Sequence, residues 1–151
     1  MVPPSARMLD DLGVDYRLIR LRGRAVTVQD VVDQAEGALN PDEICKTIIV
    51  KDRRGARSAV LLRGGDRISF TKLRPVLGKV SVASRSEVLE EAGVEPGAVC
   101  PLTLKMPIYL DERVLRLERV NFGSGDHLHG IEMRAADLSR VLRFTVLDLA
   151  E

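Results

Sequence analysis

Lys46 opens the run Lys46-Thr47-Ile48-Ile49-Val50, directly after the start signal Asn40-Pro41-Asp42-Glu43. A lysine delivered to the first residue of a buried strand holds its ammonium at the sheet edge. There it can face a cleft and meet a phosphate, a carbonyl oxygen or a developing oxyanion. Gly97 and the segment Gly123-Ser124-Gly125 offer backbone without Cβ, which lets N–H groups approach such oxygens closely. On spacing alone both are ordinary turns. His127 and His129 are the only histidines and, two residues apart, would share one face of a strand beside Asp126. A zinc site takes three or four ligands, and no third histidine or nearby cysteine is available, so the expectation is no metal and two solvated loop residues. Cys45 and Cys100 sit among apolar residues in no Cys/His/Asn arrangement and read as small buried hydrophobes rather than nucleophiles. A disulfide between them would need an oxidising compartment, which nothing else in the sequence suggests.

The elements that must position these residues are short and mixed. Ser5 caps an expected helix carrying Met8, Leu9 and Leu12 and closing at Gly13, after which Val14, Tyr16 and Leu18 alternate as a half-buried strand. Thr27 with Asp30 three residues on forms a capping box for a helix that places Val28, Val31, Val32 and Ala35 on one face before Gly37. Asn40-Pro41-Asp42-Glu43 combines a cap, a proline at the first helical position and acids in the first turn, a short helix that leads to Lys46. The apolar runs 47–50 and 58–62, joined by a polar stretch at 51–57, predict an antiparallel hairpin in the core. Further on, the spacing predicts a helix over 69–77 limited by Pro75, a strand at Val80 and Val82, and a helix from Ser84 to Gly93. Strand candidates at 108–110, 115–120, 129–133 and 144–149 and a short helix near 136–142 complete the set. The expected fold is α+β: a curved, mostly antiparallel mixed sheet, barrel-like in its near closure, with helices packed outside. No internal repeat or linker divides the 151 residues, so a single domain over 1–151 is expected.

Composition narrows the partners. Lys plus Arg number 23 against 22 Asp plus Glu, a net charge of +1, which argues against coating DNA or RNA by bulk electrostatics. Aromatics are 3%, too few for a general base-stacking platform. Two local basic patches remain, Arg17, Arg20, Arg22 and Arg24 in one and Lys51, Arg53, Arg54 and Arg57 in the other, equally readable as phosphate contacts or as solvated surface. No apolar run approaches the roughly 20 residues of a membrane span. The first seven residues lack the apolar centre of a signal peptide, so the expected place is the cytoplasm.

Taken together and in order, several segments resemble one family. They are Lys46-Thr47-Ile48-Ile49-Val50, the Gly97-Ala98-Val99-Cys100-Pro101 loop, Asp111 heading Glu112-Arg113-Val114-Leu115, and Gly123-Ser124-Gly125 followed by Ile131-Glu132-Met133. The pattern, from about Ala6 to the C-terminus, resembles the YbaK/prolyl-tRNA-synthetase-associated aminoacyl-tRNA deacylases. The Lys-Thr at a strand start and the Gly-x-x-x-Pro loop about fifty residues later carry most of its specificity. The resemblance implies a free-standing editing domain that hydrolyses the ester joining a wrong small amino acid, alanine, cysteine or serine, to tRNA, with tRNA-Pro the expected carrier. It implies no cofactor and no protein nucleophile; water, or the substrate's own thiol in cysteine-specific members, attacks the carbonyl. By that likeness Lys46 is the catalytic group and acts with Thr47 on the terminal adenosine or the ester. Gly97 to Pro101 shape the amino-acid pocket, and Gly123, Ser124 and Gly125 form a backbone wall. The implied partners are the aminoacyl-tRNA acceptor end and prolyl-tRNA synthetase.

Two positions depart from the family pattern. Relatives place aromatics from the first strand and second helix around the pocket, where this chain has Leu21 and Val26-Thr27-Val28, and they carry a carboxylate near Gly130, where the nearest acid here is Glu132. A non-catalytic tRNA-end or nucleotide-binding module on the same fold is the second reading, and a protein-interaction domain the third.

Overall fold

The computed structural model describes residues 2–151. Local signals set most of the element ends. α1 (Pro4–Asp11) leads into β1 (Tyr16–Arg20), and α2 (Val28–Gln34) starts at Thr27 with both halves of the capping box formed. Asn40 accepts the Asp42 N–H at 3.1 Å and opens a single 3-10 turn, Pro41–Glu43, that hands the chain to β2 (Cys45–Asp52). β2 and β3 (Arg57–Arg63) form the expected antiparallel hairpin, Ile48 opposite Val60. α3 (Phe70–Leu77), β4 (Val80–Val82) and α4 (Arg85–Ala92) follow, α4 opened by a Ser84/Glu87 capping box and closed by Gly93 in the left-handed conformation. β5 (Ile108–Asp111), β6 (Arg119–Gly123), β7 (His129–Arg134), α5 (Leu138–Val141) and β8 (Thr145–Leu147) complete the chain.

The strands form two sheets rather than one nearly closed one. Five strands lie in the order β4-β2-β3-β5-β8 and three in the order β1-β7-β6, joined by a single parallel bridge from Ile44 to Asn121. Four of the six strand pairs are antiparallel; β5 runs parallel to both β3 and β8. The barrel-like closure does not occur: β6 meets the five-stranded sheet only through the Ile44–Asn121 bridge. Beyond Asn121, the 98–99 backbone lies against Gly123, where a Cβ would come within 2.6 Å of Ala98 and Val99 backbone atoms.

β3 explains its own unbroken apolar run. Leu61 faces the main core between the sheets with Leu110, Phe122, Ile131 and Met133, whereas Val60 and Leu62 face a second core beneath Leu73 of α3. A strand buried on both faces has no reason to alternate. Two local expectations are displaced. Ser5 is not a cap: it lies inside α1, fully buried, and donates to the Ser124 carbonyl at 2.6 Å. The strand expected over 115–120 begins only at Arg119, because Val114–Arg116 coils into a 3-10 turn that buries Val114.

Candidate active site

A cavity of about 180 Å3 opens where the start of β2, the N-terminal end of α2, the 96–99 turn and the β6–β7 junction converge. Its apolar wall includes Leu21, Ala25, Val26, Val28 and Val31. The aliphatic segment that departs from the family pattern therefore does border the cavity. Asp30 fixes that segment by accepting the Val26 and Thr27 N–H groups at 3.0 and 3.1 Å, and these bonds hold its carboxyl below the usual carboxylate range. Gly64 lets α2 close onto β2, since a Cβ there would sit 2.7 Å from Val28 and 2.9 Å from the Ile44 carbonyl.

Lys46 stands at this cavity, part-buried, its Nζ donating to the Gly64 carbonyl at 3.2 Å. Burial pushes its ammonium below the usual lysine range, and no carboxylate among the described residues lies within ion-pairing distance. A cation left with one carbonyl keeps donors for an incoming oxygen. Thr47, Gly97 and Gly123 border the same cavity. Gly97 is held there by contact: a Cβ would lie 2.2 Å from the Ala25 carbonyl oxygen and 2.5 Å from the Val26 Cα. The segments 25–26, 97–99 and 123 thus stack backbone on backbone, and the bare Cα atoms serve the wall's construction. Glu95 anchors the turn from behind, buried and bound by Arg85 at 2.5 and 2.7 Å.

Pro101, Ser124 and Gly125 do not border the cavity. Pro101 is buried at the head of a 3-10 turn, Pro101–Thr103. Ser124 is fully buried and ties the loop together, its Oγ donating to the His129 carbonyl at 2.6 Å and its own carbonyl receiving the Ser5 hydroxyl. Gly125, at φ +93°, donates its N–H to the Ala98 carbonyl at 2.9 Å. Asp111, also in the resemblance, is fully buried elsewhere and accepts from the Leu149 and Ala150 N–H groups and from Arg113.

Among the cavity residues that the sequence reading did not assign to the site are the polar side chains of Asn121, Asp126, His127 and His129. The two histidines are not freely solvated. His129 is held through Nδ1 by the Asp126 carboxylate at 3.0 and 3.1 Å, and His127 has a buried Nδ1. The acid bordering the cavity is Asp126, not Glu132, which is bound by Arg17 at 2.7 Å. The His-x-His spacing beside an acid was visible in sequence, as was a lone asparagine inside the apolar strand Val120-Asn121-Phe122; burial alone distinguishes them from loop and edge residues. Among the described residues no three His, Cys, Asp or Glu side chains come together as a metal would need. Burial pushes the Cys45 thiol up to about 12 and the Cys100 thiol to about 11, so neither supplies a thiolate near neutrality.

Among the described residues three buried polar side-chain atoms have no hydrogen-bond partner, Thr47 Oγ1, Asn121 Nδ2 and His127 Nδ1, and all three residues border this one cavity. Buried polar groups are nearly always satisfied, so three orphans at one place mark a surface whose bonds are completed by water or a ligand. The fold thus brings an apolar wall, the Lys46 ammonium and these unpartnered polar atoms together at one small cavity. Residues 23–141 match the aminoacyl-tRNA editing domain, and the chain belongs to that family. Among solved structures, the chain is 26% identical to hypothetical protein APE2540, with 97% of this chain and 98% of that one covered and a TM-score of 0.82. It is 25% identical to a protein described as a candidate trans-editing enzyme for prolyl tRNA synthetase, with 100% and 99% covered and a TM-score of 0.78. A likeness in fold extends to a protein from Marinobacter aquaeolei VT8 assigned to signal transduction, 21% identical, where the match takes up 31% of the longer chain at a TM-score of 0.72.

Proposed function

We propose that this editing domain is a hydrolase that removes a small amino acid, alanine, cysteine or serine, from mischarged tRNA-Pro. The whole chain, 1–151, acts as one cytoplasmic unit in the service of prolyl-tRNA synthetase. The observation that carries the reading is the convergence of the Lys46 ammonium, which has no direct ion pair, with three unpartnered buried polar atoms at one small cavity. An aminoacyl ester already has a good leaving group in the ribose hydroxyl, so positioning the carbonyl and stabilising its oxyanion suffice. Lys46 is the catalytic cation at the ester and Thr47 a contact to the substrate. Gly97 and Gly123 bound the amino-acid pocket, with Pro101, Ser124 and Gly125 fixing that wall from behind. Exposed Arg20, Arg22 and Arg24, next in the chain to wall residues Leu21 and Ala25, add attraction for the acceptor end of the tRNA.

The test is a panel of alanyl-, cysteinyl-, seryl- and prolyl-tRNA. At least one of the first three is cleaved while prolyl-tRNA survives, because rejection by size is strong whereas one missing group is worth only about 1–3 kcal/mol. Tight binding of the tRNA end without cleavage of any ester selects the non-catalytic module instead.

A further inference from the structure

We infer that His129 is the general base that activates the attacking water, with Asp126 as its positioning residue. The inference rests on the deacylation reading above and supplies what that reading lacks, a group to take the water's proton.

Lys46 cannot fill that role while it serves as the cation, and the two thiols are held protonated by burial. Of the titratable groups bordering the cavity, Asp126 and the two histidines remain, and the Asp126 carboxylate is engaged at the His129 ring. The histidines differ in how they are held. His129 Nδ1 lies 3.1 and 3.0 Å from the two Asp126 carboxylate oxygens, and Asp126 is itself fixed by accepting the Leu128 N–H at 2.8 Å. The Asp126 N–H donates to the Ser124 hydroxyl at 3.3 Å, and that hydroxyl donates to the His129 carbonyl at 2.6 Å. Side chain and backbone of His129 are therefore locked by one short loop at the start of β7, opposite Arg20 in β1. A carboxylate at Nδ1 keeps the proton there and leaves Nε2 with its lone pair, the base-and-orienter arrangement of acyl-transfer sites without a protein nucleophile. His127 has no such orienter, since its buried Nδ1 is unpartnered.

In the step, a water proton moves to His129 Nε2 as the water oxygen bonds to the ester carbonyl carbon and the carbonyl π pair moves onto its oxygen. That oxyanion faces the Lys46 ammonium. Collapse re-forms the carbonyl, breaks the bond to the ribose oxygen, and returns the Nε2 proton to that oxygen. Ester and water become free amino acid and tRNA hydroxyl, and the imidazole is restored.

The experiment measures kcat and KM for whichever of alanyl-, seryl- or cysteinyl-tRNA the parent cleaves fastest, in His129→Asn, His129→Ala and Asp126→Asn, each with a melting curve. Asparagine keeps an N–H donor for Asp126 and removes the base, so H129N should stay folded and lose about 10²-fold or more in kcat with KM nearly unchanged. Added imidazole should restore part of the H129A rate. D126N should lose at least about tenfold in kcat, and 15N NMR of the His129 ring should show the Nδ1–H tautomer of the parent lost. A folded H129N that keeps kcat within about threefold, or that raises KM alone, overturns the assignment and leaves the editing reading standing. A parent inert on all three esters overturns the editing reading and this inference with it.

Discussion

Two lysines at opposite ends of β2 have opposite surroundings. Lys51 is clasped by both Glu87 oxygens at 2.8 and 2.9 Å, and the same carboxylate receives the Ser84 N–H at 3.0 Å and lies 3.5 Å from Arg57. Arg57 also pairs with Glu91, so α4 neutralises much of what reads in sequence as a basic patch. Five residues earlier, Lys46 has one carbonyl and a cavity. The strand and the residue type are the same at both ends. What differs is whether a helix arrives with carboxylates, as α4 does, or with aliphatic side chains, as α2 does. A cation surrounded by acids holds the fold together, and one left with a carbonyl is available to a ligand.

The strongest way to break that comparison is to remove each lysine in turn. Lys46→Ala should cost about 10²- to 10³-fold in deacylation rate, the loss typical of one fixed donor at a developing oxyanion, whereas Lys51→Ala should leave the rate unchanged. Equal losses in the two variants would show that the contrast has no functional meaning. The folding effect runs the other way. Burial lowers the Lys46 pKa from 10.5, so the unfolded chain holds that proton more tightly than the folded one, and stability rises with pH between the lowered value and 10.5. Lys46→Met should therefore melt no lower than the parent at neutral pH, and a marked fall in its melting temperature would make Lys46 a structural residue.

The second effect concerns the wall opposite Lys46. Gly97→Val must force the 97–99 turn away from the Ala25 and Val26 backbone, with which even a Cβ collides. Overpacking of this kind costs about 1–3 kcal/mol, several degrees in melting temperature for a chain of this size, and the displaced wall should lower cleavage as well. Parent-like values for both would mean that this stack neither supports the fold nor shapes the pocket.

A smaller effect belongs to the Lys51 end. Lys51, with help from the Ser84 N–H, holds the Glu87 carboxyl down to about 2 from an ordinary 4.5. Its folded value lies below its unfolded one, so its contribution is fully present above pH 4.5 and is lost as the pH falls toward about 2. Glu87→Gln should flatten the acid dependence of the melting temperature in that window and leave deacylation at neutral pH untouched. The smallest expected effect is that of a chelator, which should leave the rate where it was. Activity lost to it and restored by zinc would instead assign His127 and His129 to a metal.

Local chemistry was readable in the sequence wherever one short segment decides the outcome. The Thr27/Asp30 and Ser84/Glu87 boxes, the Asn40-Pro41 start and the β2–β3 hairpin each depend on bonds among near neighbours, so their residues suffice to specify them. The ordered segments from Lys46 to Met133 likewise carried the family. What depends on distant partners was not readable. Ser5 looks like a cap until the Ser124 carbonyl, 119 residues away, takes its hydroxyl. The sheet looks nearly closed until the strands divide into two sheets that meet at one bridge, Ile44 to Asn121. His127 and His129 look like solvated loop residues, and nothing singles out Asn121, until the tertiary fold brings them with Asp126 to the cavity that also receives Lys46. Hydrogen bonds within a turn are set by the order of residues along the chain. Whether a polar atom ends up paired, exposed or buried without a partner depends on which remote segments pack around it, and that is decided only when the sheets and helices come together.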